Sequence, residues 1–143
     1  MAERDSNNRF LIDLPEGWAD QSVYLFNGPE ERGLPHNLTL IVDNALSEDD
    51  LDLFAQERID AAVGASPGME ILKQEKKMLP NGREAVEAVI KWIPAEGQII
   101  FQKRVYMVIG GAGYSFTANF SKQSIKTIGL QVDEMINSFE PGA

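Results

Sequence analysis

The chain has no cysteine and one histidine, His36. Without thiols there can be no disulfide, no zinc–thiolate site and no cysteine nucleophile. The histidine follows Pro35 at the start of a strand. With no Gly-x-Ser-x-Gly elbow and no cysteine, no nucleophilic triad can be assembled around it, so it reads as an inert loop or edge histidine. Positive charge is also scarce: 13 basic against 22 acidic residues give a net charge of −9. That field repels phosphate backbones and anionic lipid surfaces, which argues against nucleic acid and against membrane insertion. No apolar run approaches the roughly 20 residues that span a bilayer. The opening Met1-Ala2-Glu3-Arg4-Asp5-Ser6-Asn7-Asn8 is polar and lacks the core of a secretory signal. The chain reads as a soluble cytoplasmic protein.

What remains is an ordinary globular composition, 43% hydrophobic and 24% charged over 143 residues. That length fits one domain, 1–143, able to bury about two-thirds of its unfolded surface. Glycine, proline and asparagine cut the sequence into strand-length pieces. Arg9 to Leu14 reads as a first strand, ended by Pro15-Glu16-Gly17. Gln21 to Asn27 alternates, Val23 and Leu25 on one face and Tyr24 and Phe26 on the other, and Gly28-Pro29 ends it. Asn37 to Asp43 puts Leu38, Leu40 and Val42 on one face and Thr39 and Ile41 on the other.

A helix is expected next. Ser47 with Asp50 forms a capping box, and Glu48, Asp49 and Asp50 sit at the positive end of the helix dipole. Leu51, Phe54, Ala55, Ile59, Ala62 and Val63 recur at helical spacing until Gly64 to Gly68 stops them. Three long strands and a shorter one follow: Met69 to Met78, Arg83 to Ile93 after an Asn81-Gly82 hairpin, Gln98 to Ile109 after Ala95-Glu96-Gly97, and Tyr114 to Phe120 after Gly110 to Gly113. A second helix is expected from about Ser124 to Ser138, with Ile125, Ile128, Val132, Met135, Ile136 and Phe139 as its apolar stripe.

The order β-β-β-α-β-β-β-β-α has short links between consecutive strands, which require antiparallel pairing. The fold class is therefore α+β: one antiparallel sheet of about six to seven strands with two amphipathic helices. Two helices cannot cover both faces of such a sheet, so part of it is open or covered by a partner. A homodimer would bury some of that surface.

Chemistry-bearing patterns are few. The acidic run Glu48, Asp49, Asp50, Asp52 lacks the frame and closing Glu of a calcium loop. Gly110-Gly111-Ala112-Gly113 lacks a Gly-Lys-Ser/Thr ending and precedes a strand, so it reads as a hairpin turn and not a phosphate loop. Lys73, Lys76, Lys77, Lys103 and Arg104 are diluted by Glu70 and Glu75 and read as solvated strand residues. No metal, cofactor or catalytic residue is assigned, and no enzyme is expected. The more informative pattern is one face of Gln98 to Ile109: Gln98, Ile100, Gln102, Arg104, Tyr106, Val108. Long polar side chains among apolar ones fit either a half-exposed edge strand or a binding face where an amide bonds a guest backbone.

The stretch Leu14-Pro15-Glu16-Gly17-Trp18-Ala19-Asp20-Gln21-Ser22-Val23-Tyr24-Leu25-Phe26 resembles the opening of bacterial DcrB-like proteins, the group that includes the Eag chaperones of type VI secretion. Ser66-Pro67-Gly68-Met69, Asn81-Gly82-Arg83-Glu84-Ala85, Gln102 and Ser138-Phe139 resemble further motifs of that family, in order, from about Phe10 to Phe139. The resemblance implies a PsbP/Mog-like fold. It also implies a dimeric chaperone whose open sheet face shields the hydrophobic N-terminal helices of a secreted effector or toxin. Carried across by position, it implies a partner-binding cradle of Val23, Leu25, Leu38, Leu40 and Val42, with Gln102 as the polar contact. Arg58 and Arg104 stand where those chaperones tend to carry glutamine. The alternative is a general interaction module that docks a folded partner. Trp18, after its Pro-Glu-Gly turn, is expected to pack under the sheet.

Overall fold

In a computed structural model of the chain, the structure describes residues 3–6 (backbone only), 11–18, 21–31, 34–44, 46 and 49–141. Strands β1 (Glu3–Ser6) and β2 (Leu11–Leu14) pair with each other as a separate antiparallel hairpin. A six-stranded sheet follows from β3 (Gln21–Glu31), β4 (Leu34–Asp43), β5 (Met69–Met78), β6 (Glu84–Ala95), β7 (Gln98–Ile109) and β8 (Ala112–Phe120). Its spatial order is β3-β4-β8-β7-β6-β5, antiparallel at every step. Helix α1 (Leu51–Ala65) links β4 to β5, and α2 (Ile128–Asn137) ends the chain. The expected α+β fold, one antiparallel sheet with two helices, is thus present.

The two helices lie on opposite faces. Helix α1 packs Phe54, Ala55 and Ile59 on Val86, Ala88 and Tyr106 of β6 and β7. Helix α2 packs Ile128, Val132 and Ile136 on Leu38, Leu40, Val105, Met107, Phe116 and Phe120. Strand alternation makes this possible: on β7, Tyr106 serves one face while Val105 and Met107 serve the other. Each face is therefore half covered, since α1 sits over the β6–β7 half and α2 is anchored on β8 and its neighbours.

Local expectations need several corrections. Helix α1 begins one turn later than the capping box predicts: Asp50 is the N-cap, its carboxylate accepting from the Leu53 amide at 3.2 Å. Ser47 and Glu48 lie outside the described residues, as do Arg9 and Phe10 of the first expected strand. Gly28-Pro29 does not end β3, because a bulge between Asn27 and Glu30 absorbs the proline and pairing resumes at Glu30 with Pro35. The second helix is broken at its start: Ser124–Lys126 forms a 3-10 turn and α2 starts at Ile128. Reciprocal bonds hold that turn, the Ser121 amide donating to Ser124 Oγ at 2.8 Å and the Ser124 amide to Ser121 Oγ at 3.0 Å.

Gly110 and Gly111, at φ of 59° and 79°, make the turn between β7 and β8. Gly113 has a different reason to be glycine. A Cβ there would overlap the ring of Phe54, which is buried on the α1 face edge-on to Tyr106 with centroids 6.0 Å apart.

Candidate functional site

Register decides which side chains share a face. In the β3–β4 pair, Tyr24 lies opposite Leu40 and Phe26 opposite Leu38, whereas Val23 lies opposite Ile41 and Leu25 opposite Thr39. The expected cradle is therefore split. Val23 and Leu25 are on the α1 face, and Leu38, Leu40 and Val42 are on the α2 face.

The two groups also differ in exposure. Leu38, Leu40 and Val42 are 4%, 7% and 8% exposed and belong to the core beneath α2, where they floor a groove beside that helix. Val23 and Leu25 are 58% and 57% exposed, free of any packing helix. Val23 and Leu25 thus form no single patch with Leu38, Leu40 and Val42, because side chains of opposite parity across a strand pair point to opposite faces.

On the α1 face, the half left open by the helix is crossed by rows of paired residues. One runs Leu25, Thr39, Thr117, Arg104; a second runs Val23, Ile41, Ser115 and ends at Tyr106 beneath α1; the pairs Asn27–Asn37 and Asn119–Gln102 lie on the same face. Gln102 is buried, donates through Nε2 to Asn119 Oδ1 at 3.0 Å, and accepts from Arg104 Nε. Arg104 Nη1 donates to the Tyr106 hydroxyl at 3.3 Å. Burial pushes the Tyr106 phenol up, an effect that Arg104 and Arg58 partly oppose. Strand β7 is thus central and not an edge strand: its polar side chains bond one another at the floor of the open half. Gln102 takes part, but as a buried strut, with Arg104 beside it nearer the surface.

Helix α1 walls this surface through Arg58, which bonds Asp43 Oδ2 at 3.1 Å and stacks 4.3 Å over the Phe54 ring. The other Asp43 oxygen accepts from Gln21 Nε2 at 2.8 Å.

The α2 face has a groove of about 520 Å³ beside the helix. It is lined by Tyr24, Phe26, Leu40, Tyr114, Phe116, Met135 and Phe139, with Tyr24 and Phe26 roughly half exposed. Towards β5 the same face becomes ionic. Glu87 is buried between Lys77 at 2.7 Å and Lys73 at 3.5 Å, and Lys103 bonds Asp133 of α2 at 2.7 Å. Burial works against the charge on Glu87, but Lys77, Lys103 and Lys73 outweigh it and hold the carboxyl below its usual range. These lysines are therefore not all plain solvated residues: Lys77 and Lys103 secure the only buried carboxylate among the described residues.

His36 is 4% exposed and not a loop residue. Its Nδ1 lies 2.9 Å from the Pro29 carbonyl oxygen, which can only accept, so Nδ1 carries the proton. Its Nε2, 2.8 Å from Ser124 Oγ, then accepts. Spacing along the sequence could not foresee this pair, 88 residues apart. Ser124 has no exposed surface, so the contact acts as a clasp between the β3 bulge, β4 and the turn before α2. Trp18 is 70% exposed and not under the sheet; its amide closes a turn onto Pro15 O at 3.1 Å. Among the described residues, no group of acidic or histidine side chains could hold a metal ion, and no helix is long and apolar enough to cross a membrane.

The DcrB family matches residues 11–138, nearly the whole chain. The chain belongs to the DcrB family. No curated protein matches it. Among solved structures it is similar to PA94 of Pseudomonas aeruginosa, a protein of unknown function described as a candidate regulator, with a TM-score of 0.75 at 15% identity, covering 99% of this chain and 98% of that one. It is also similar to cyanobacterial PsbP (CyanoP) from Synechocystis sp. PCC 6803, with a TM-score of 0.58 at 13% identity, covering 99% and 92%. At such identities the likeness is one of fold.

Proposed function

We propose that this DcrB-family chain is a non-catalytic chaperone or adaptor that shields a hydrophobic helix of a secreted effector or toxin, with the α1 face as its cradle. The observation that carries the reading is the exposure of Val23 and Leu25 on the same face as the Gln102–Arg104–Tyr106 network. An apolar helix needs apolar contact plus side chains able to bond whatever polar groups it presents. The open half of the α1 face has both, and α1 itself supplies a wall. The resemblance to Eag chaperones supports the same assignment, since it points to Val23, Leu25 and Gln102. Ile41, opposite Val23, takes the place of Leu38, Leu40 and Val42 in the cradle.

The apolar groove on the other face suits a second copy of the chain, which would cover Tyr24 and Phe26 and leave the α1 face free. The working form is then a cytoplasmic homodimer. The test is co-expression with an apolar helix of about 20 residues fused to a soluble carrier. The wild-type chain keeps the fusion soluble and co-elutes with it. Failure to do either, for a range of apolar helices, overturns the proposal. Docking of a folded partner is the second reading, favoured by Leu11, Ile12 and Trp18, all exposed around the β1–β2 hairpin. It predicts that Trp18→Ala, and not Leu25→Asp, abolishes capture.

A further inference from the structure

Arg104 is a partly buried cation whose charge nothing in the described chain neutralises. Its Nε is held by Gln102 Oε1 and its Nη1 by the Tyr106 hydroxyl, both uncharged acceptors. Among the described residues no carboxylate lies within ion-pair distance of it. The acid on the same face, Asp43, is occupied on both oxygens by Arg58 and Gln21. On α1, Asp60 bonds Gln56 and Glu57 bonds Arg58. In a chain of net charge −9, a guanidinium left without a carboxylate is notable.

A guanidinium carries five donors in a planar fork, and two are used here. The Nη2 donors remain, with a second hydrogen on Nη1, a spacing that matches the two oxygens of a carboxylate. Beside it lies a second unmet group. Ser115, opposite Tyr106 in the next row, has a buried Oγ with no partner. The same open half carries exposed Val23 and Leu25 at its β3 margin.

We infer that Arg104 is a specificity-determining anchor that seats a carboxylate side chain within an otherwise apolar partner helix on the α1 face. This rests on the proposed chaperone reading and narrows its partner. A carboxylate in an apolar helix is costly to desolvate unless paired, so an anchored acid discriminates strongly against clients lacking it. Simple surface electrostatics predicts the opposite preference, because an acidic chain repels an acidic client.

The test uses carrier-fused apolar helices of about 20 residues that differ only in one central residue, Glu, Gln or Lys. Dissociation constants are measured against the full chain. Wild type is expected to bind the Glu probe at least about tenfold more tightly than the Gln probe, and the Lys probe most weakly. Arg104→Gln removes the preference for the Glu probe over the Gln probe, and Arg104→Lys keeps part of it. Equal affinity of wild type for the Glu and Gln probes overturns the anchor but leaves the chaperone reading standing. A Glu preference that survives Arg104→Gln also overturns it. If no probe binds, both fall. The wild-type comparison needs no variant, so instability of Arg104→Gln does not blunt the test.

Discussion

Placing one carboxylate on either face of the β3–β4 pair separates the two roles assigned to its apolar residues. Leu40 is 7% exposed, flanked by Tyr24 on β3 and Phe116 on β8, in the core beneath α2. Truncating such a leucine costs about 2–5 kcal/mol. An aspartate adds an unpaired carboxylate or a forced protonation, several kcal/mol more. The total is comparable with the roughly 5–15 kcal/mol that holds a domain of this size together. Leu40→Asp is therefore expected to be largely unfolded. Leu25 is 57% exposed on an edge strand, so its carboxylate stays hydrated. The remaining cost is the poor strand propensity of aspartate and a fraction of one side chain's burial, about 1 kcal/mol. Urea unfolding followed by far-UV circular dichroism reads the difference. Leu25→Asp should shift the midpoint by about half a molar, and Leu40→Asp should show no cooperative transition. Comparable losses in both, or a native-like midpoint for Leu40→Asp, would refute the division of the two faces.

Further outcomes follow from the same contacts. Gly113→Ala drives a methyl into the clamped Phe54 ring and should cost about 1–3 kcal/mol, read as a lowered melting temperature; an unchanged value would mean the ring yields freely. Glu87 has its folded pKa held below the ordinary 4.5, so its contribution is present above that pH and lost as pH falls through the folded value. Glu87→Gln should flatten the acid limb of the stability–pH curve below about 4.5, and an identical limb would count against the lysine cage. Trp18→Ala should change stability by less than about 0.5 kcal/mol in thermal melts, because the ring is exposed. Light scattering should give twice 15.9 kDa, and Tyr24→Asp with Phe26→Asp should return the mass to a monomer's; a wild-type monomer at all concentrations removes the dimer.

Most of the framework was legible in the sequence, for local reasons. Alternation in β7 was read correctly: Gln102, Arg104 and Tyr106 share one face, with Val105 and Met107 on the other. Alternation within a strand does not fix how two strands are aligned. The bulge between Asn27 and Glu30 helps set that alignment for β3 and β4, and a shift of one residue sends every side chain to the other face. Hence the expected cradle groups Val23 and Leu25 with Leu38, Leu40 and Val42, whereas their cross-strand neighbours are Ile41 and Thr39. The His36–Ser124 clasp and the Gln102–Arg104 network depend on contacts distant in sequence or across strands, which composition does not encode. Trp18 departs from the burial usual for large aromatics: it follows a closed turn after a hairpin that is not hydrogen-bonded into the main sheet.

The central claim is that an apolar helix binds the α1 face, and chemical-shift mapping tests it most directly. With the isotope-labelled chain and an unlabelled carrier-fused apolar helix, the largest perturbations should fall on Val23, Leu25, Ile41, Thr117 and Arg104. Perturbations confined to Tyr24, Phe26, Met135 and Phe139, across the sheet, would contradict it.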